Sequence, residues 1–166
     1  MLDVQHLLDL ASKLANPGGA GAPRQVILRR AVSTAYYAVF HALCSDAAVT
    51  FVNAGVWKSR VLFYRAFDHG KTKDRCKKLG QNPLPNAERQ FFLFESFGAE
   101  IRALSNTFVL LQELRHSCDY DPDFKITKSE AQQAALDAKS AIANLATADP
   151  QEKNQFLAYL LFGMRT

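Results

Sequence analysis

Residues 23–48 read PRQVILRRAVSTAYYAVFHALCSDAA. Pro23 suits the first position of a helix, and nothing from there to Ala48 breaks one. With Ala31 at zero on a wheel of 100° per residue, Ile27, Ala35, Ala38 and Ala42 fall within about 40° of it. A face made of alanines lets a second helix approach closely. Arg30, Thr34, Tyr37, His41 and Cys44 form a separate stripe, about 80° wide, beside that seam. An ordinary solvent face would carry more Lys and Glu. The stripe therefore lines a cleft or a subunit interface, or forms a buried hydrogen-bond network that fixes helix register.

Working outward, the chain punctuates itself. Residues 2–15 place Val4, Leu7, Leu8, Ala11 and Leu14 at helical spacing, and Asn16-Pro17-Gly18-Gly19 stops that helix. Residues 17–23 (PGGAGAP) are a flexible connection. Asn53-Ala54-Gly55 is a break. A third helix is expected from Val56 to about His69, ended by Gly70, and a short basic helical piece over 71–79 closes at Gly80. QNPLP at 81–85 is loop, because two prolines forbid a helix. A long fourth helix is expected from Asn86, as its cap, to about Cys118, with Pro122 marking its end. Thr127-x-x-Glu130 is a capping box opening a fifth helix to about Ala146. Asp149-Pro150-x-Glu152 opens a last short helix ending near Gly163. No segment alternates with period two. The expectation is one all-α domain over 1–166: an up-and-down bundle of four to five main helices with a short C-terminal helix.

Composition excludes several function classes. The chain has 166 residues, 48% hydrophobic and 22% charged, enough for one core without staples. Cys44, Cys76 and Cys118 are odd in number and form no C-x-x-C pair, which argues against a disulfide framework and a zinc site. Free thiols fit a reducing cytoplasm. The N-terminus has no basic region of a signal peptide, and no apolar run is long enough to span a membrane. Cys44 lies three residues from His41, an accidental spacing rather than a nucleophile–base pair. No metal and no cofactor is expected.

Charge is uneven. Net charge is +4. Residues 56–80 hold Lys58, Arg60, Arg65, Lys71, Lys73, Arg75, Lys77 and Lys78 against Asp68 and Asp74, so this segment carries about +6 and the rest about −2. It is either a solvated helix face or a surface for phosphate backbones. In the fourth helix Phe97, Ile101, Leu104, Phe108 and Leu111 share one face. Arg115 continues that stripe and Asp119 lies one turn on. A charge so placed needs a partner. It is either an Arg115–Asp119 pair at i,i+4, or a guanidinium held by Asp119 to take a phosphate. His116 is turned about 100° from Arg115.

The stretch from Arg29 to Ala42, with an early arginine, Tyr36-Tyr37-Ala38 and Phe40-His41, resembles the second-helix signature of HEPN domains. Arg115-His116-Ser117-Cys118-Asp119-Tyr120 resembles the late "arginine, two variable residues, Ala-Asp-Tyr" signature of the prokaryotic branch, with Cys118 in place of alanine. Arg65-Ala66-Phe67-Asp68-His69-Gly70 is similar to a segment of bacterial members. The resemblance implies a helical bundle, commonly a homodimer, that binds RNA or a nucleotide. Some members are metal-independent RNA-cleaving toxins, and some are partnered by a small nucleotidyltransferase. The family's catalytic pattern is an arginine and a histidine separated by four to six residues, the histidine as base and the arginine as counter-charge. Here Tyr120, Asp121 and Pro122 stand five to seven positions after Arg115. His116 follows it directly, and Arg65 and His69 have three residues between them.

The expectation is therefore binding without efficient cleavage. Its binding residues are Arg30, Tyr37, His41, Arg65, His69, Lys73, Lys77, Arg115 and Asp119, with Lys73 and Lys77 on an exposed helix face. If the chain is active, Arg115, His116 and Tyr120 are the catalytic candidates. The alternatives are a metal-independent endoribonuclease with a rearranged site, and a purely structural interaction protein. A homodimer is expected because the alanine seam and the phenylalanines of Gln90–Phe97 exceed what one small bundle must hide.

Overall fold

The computed structural model describes residues 3–18, 24–52, 57–92 and 94–163. Among them are eight helices and no strand: α1 (Val4–Ala15), α2 (Gln25–Phe51), α3 (Trp57–Ala66), α4 (His69–Leu79), α5 (Asn86–Arg89), α6 (Ala99–Tyr120), α7 (Lys128–Thr147) and α8 (Pro150–Phe162). The all-α expectation holds. The connection at 19–23, Pro23, and the break and helix start at 53–56 lie outside the described residues.

Local chemistry sets several boundaries. The Asp3 carboxylate accepts from the Gln5 and His6 amides and starts α1. Asp68 accepts from Lys71 N and starts α4. The Thr127–Glu130 capping box forms in full at α7, and Asp149 accepts from the Gln151 and Glu152 amides at α8. Two boundaries differ from the sequence expectation. The third helix stops at Ala66. Phe67 turns inward and is buried, and the Asp68 cap begins a new helix in which Gly70 is the second residue rather than a terminator. The long fourth helix is broken, with Pro85 rather than Asn86 at its N-cap. Only the single turn of α5 precedes a non-helical stretch, and α6 begins after Gly98.

The aromatic run explains that second break. Phe92 and Phe97 are buried 4.9 Å apart. Phe94 stacks on Phe92, and the cluster meets Tyr159 and Phe156 of α8. A continuous helix would spread these rings around its axis; an irregular stretch turns Phe92 and Phe97 onto α8, with Phe94 packed on both. The Gly98 amide donates to Glu152 Oε2 at 2.7 Å, so a carboxylate from α8 takes a free N–H at the start of α6.

α2 is the central helix. It packs against α1, α3, α6, α7 and α8 and is apolar nearly all round. Ala31, Ala35, Ala38 and Ala42 are buried. α7, one of the helices packed on α2, buries alanines of its own: Ala131, Ala134, Ala135, Ala138 and Ala141. Small residues on both helices permit close approach. The alanine seam is thus filled within the chain, as are Phe92 and Phe97, so the two features from which a dimer was expected are largely used internally. α1 and α6 run opposite to α2 and α7: Leu14 adjoins Val26 while Val4 adjoins Ala42, and Ser33 meets Asp119 while Tyr36 meets Phe108. Among the described residues no helix is long and apolar enough to cross a membrane.

Candidate functional site

The last turns of α6 lie across the first half of α2, beside the first turn of α4. Arg115 is the junction. Its Nε lies 2.6 Å from Asp119 Oδ2, and its Nη2 donates to the Tyr37 hydroxyl at 3.1 Å. The guanidinium carbon stands 5.8, 5.6 and 5.4 Å from the ring centres of Tyr36, Tyr37 and Tyr120. Burial opposes the Arg115 charge, but Tyr37, Asp119 and Tyr120 outweigh it, and its pKa is raised. The other Asp119 oxygen accepts from Ser33 Oγ at 2.6 Å. Asp119 is therefore fixed from α2 and itself orients Arg115.

His69 completes the group. Its Nδ1 lies 2.6 Å from the hydroxyl of Tyr36. Tyr36 is fully buried, and burial lifts its phenol far above its ordinary value, so it keeps its proton. The Tyr36 hydroxyl has His69 as its hydrogen-bond partner among the described residues. Donating its O–H to Nδ1 leaves no orphan proton, whereas accepting from Nδ1–H would. The ring proton of neutral His69 then sits on Nε2. Burial, and secondarily Arg115, lowers the His69 pKa, with Asp68 opposing. His41, 6.2 Å from the Tyr37 ring, is lowered by burial and then by His69. Its Nδ1 is buried with no hydrogen-bond partner among the described residues.

Of the residues expected at a site, the structure brings together Tyr37, His41, His69, Arg115 and Asp119. His116 is exposed, its ring 4.9 Å from that of Tyr120, which is 64% exposed. Arg30 does not join them. It is exposed, and it shares with Asp119 and Lys125 an open groove of about 760 Å³. Its neighbour Arg29, rotated by one helical position, reaches the end of α6 and donates to the carbonyls of Cys118, Asp121, Pro122 and Phe124. Arg65 is exposed in the last turn of α3.

The basic segment is partly engaged. Lys73 is paired with Glu113 at 3.1 Å rather than standing free on an exposed face. Lys78 is 2.7 Å from buried Glu88, and Arg75 donates to the Leu160 carbonyl at 2.5 Å. Lys71 and Lys77 are exposed. Gly70 lies with His116, Lys73 with Glu113, and Gly80 against Asn106, so α4 and α6 run antiparallel. Between them is a polar cleft of about 440 Å³ lined by Gly70, Lys73, Asp74, Gln112, Glu113, His116 and Ser117.

Sequence reading missed Ser33, Tyr36 and Arg29. Ser33 and Arg29 are one helical turn apart, and that spacing was the available signal. Tyr36 gave none, since it reads as a core aromatic. The three thiols are buried, and burial pushes Cys44 up to about 12 and Cys118 up to about 11, which removes them as nucleophiles. No family model matches the chain, and no curated protein and no solved structure matches it.

Proposed function

We propose that this chain is a HEPN-like helical module that binds RNA or a nucleotide, as a homodimer, through a phosphate held at Arg115. The observation that carries the reading is the support around Arg115: Asp119 and Tyr37 fix the guanidinium, and tyrosine rings flank it. A preoriented arginine beside a donor histidine suits an anion. Lys71 and Lys77 on α4 add positive potential. The dimer part rests on Phe91 and Phe162, both exposed beside an open groove of about 540 Å³ along α8. Localisation in the cytoplasm and a nucleotidyltransferase partner belong to the same HEPN-like reading.

Cleavage is the second reading. It draws support from His69, which lies close enough to Arg115 for its pKa to respond to the charge, although the two residues are distant in sequence. On this reading His69, not His116 or Tyr120, supplies the base. The Nε2–H form set by Tyr36 is a donor rather than a base, and this favours binding. The test is anisotropy of a labelled RNA with wild type and Arg115→Ala, together with a cleavage assay in chelator. Binding lost in the variant, without cutting by wild type, supports the proposal. Metal-independent cutting lost with His69→Gln would replace it by the second reading. Undiminished binding by Arg115→Ala would remove both.

A further inference from the structure

Tyr120 links two places on the surface. Its ring lies over the Arg115 guanidinium on one side and against the His116 ring on the other. His116 lines the polar cleft between α4 and α6. From Tyr120 the antiparallel helices then offer His116, Lys73 and Lys77 in order, running back along α6. Lys73 and Lys77 are one helical turn apart, about 6 Å. This is an exposed aromatic for a base, followed by cations for a backbone, the arrangement that recognises single strands without reading sequence. A duplex would hide its bases from Tyr120, and a mononucleotide whose phosphate is held at Arg115 has no second phosphate to offer Lys73.

Lys73 is occupied in the free protein. Its ammonium lies 3.1 Å from Glu113 Oε1, and both side chains remain partly in solvent. Such a pair is weak and exchangeable. A phosphate entering the cleft competes with Glu113 for the ammonium, and Glu113 and Asp74, which also lines the cleft, both repel it, so removing the carboxylate that holds Lys73 relieves the larger obstacle.

We propose that the α4–α6 cleft is a second phosphate subsite, that its ligand is a single-stranded oligonucleotide extending from Tyr120 towards Lys77, and that Glu113 weakens binding there by holding Lys73. This rests on the phosphate-binding reading of Arg115 and extends it along the surface.

The experiment measures anisotropy with a labelled single-stranded RNA of about a dozen nucleotides, the same strand in duplex, and labelled AMP. Glu113→Gln should bind the single strand several-fold more tightly, with a salt slope steeper by about 0.7, the value of one further phosphate contact. Lys73→Gln should bind it several-fold more weakly, and Tyr120→Ala likewise. Neither change in the cleft should alter AMP binding. Duplex RNA bound as tightly as the single strand, or Glu113→Gln binding no tighter, overturns the inference. If Arg115→Ala abolishes binding while the cleft variants change nothing, the Arg115 site stands and this subsite fails. If neither RNA nor AMP binds the wild type, both fail.

Discussion

The hydroxyl of Tyr36, in the middle of α2, lies 2.6 Å from Nδ1 of His69, the first residue of α4. This bond ties the start of α4 to the core, and protonating Nδ1 would leave the buried Tyr36 hydroxyl proton without an acceptor. His69 is held below its ordinary value of 6.5 by burial and then by Arg115; His41 is lowered by burial and then by His69. A histidine with a lowered folded pKa binds fewer protons folded than unfolded. Its contribution is complete above 6.5 and is lost as pH falls below that. Tm should therefore decline between about pH 7 and pH 5, before the carboxylates protonate. His69→Gln should flatten that decline. A wild-type Tm that is level across the interval, or an equal slope in the variant, contradicts this account.

Arg115 and Asp119 should be energetically coupled. The side chains are 15% and 26% exposed, so solvent screens them little. Arg115→Ala should cost about 2–4 kcal/mol because it leaves a carboxylate held by Ser33 without its counter-charge. Asp119→Ala should cost a similar amount. The double variant should lose about 1–2 kcal/mol less than the sum. Urea unfolding of the four proteins measures this, and strict additivity would show that the pair contributes nothing.

A second ion pair, buried only on its acidic side, anchors α8. Glu88 is 1% exposed; Lys78 Nζ lies 2.7 Å away, and the Tyr159 hydroxyl donates to it at 3.0 Å. Burial raises the Glu88 pKa, but these two hydrogen bonds and the Lys78 charge outweigh it and the net shift is downward. Lys78→Met should destabilise by about 2–3 kcal/mol, since a buried carboxylate loses its counter-charge. Tyr159→Phe should cost about 1 kcal/mol. The paired change Lys78→Met with Glu88→Met should recover most of the first loss. No recovery in denaturant midpoint would show that the pair stabilises beyond cancelling its own burial.

The surface at α8 makes a prediction about mass. Phe162 is 69% exposed and Phe91 55% exposed. Light scattering at micromolar concentration should give a dimer for wild type and a monomer for Phe162→Ser. Tm of the isolated monomer should change little, because the ring contributes little to its core. A monomeric wild type removes the dimer.

Much of the fold was legible. The starts of α7 and α8 follow from Thr127–Glu130 and Asp149, whose side chains bond within three residues. The break between α5 and α6 was not, because QFFLFESF is compatible with a helix until α8 gives its rings a place to go. The same division runs through the site. Arg115 and Asp119 meet along one helix and were readable from spacing. Tyr36 and His69 meet across 33 residues, and Ser33 and Asp119 across 86, contacts that no local pattern encodes.

The connection between α6 and α7 has Pro122 and three aspartates nearby, the composition of a tolerant loop. Arg29 nevertheless donates to three of its carbonyls and to that of Cys118 in the last turn of α6, and the Gln25 amide exchanges two hydrogen bonds with the Ile126 backbone, at 2.8 and 3.0 Å. Its amides should resist deuterium exchange, and proteases should pass it by. A tag or circular-permutation break placed there would be transmitted through Asp119 to Arg115.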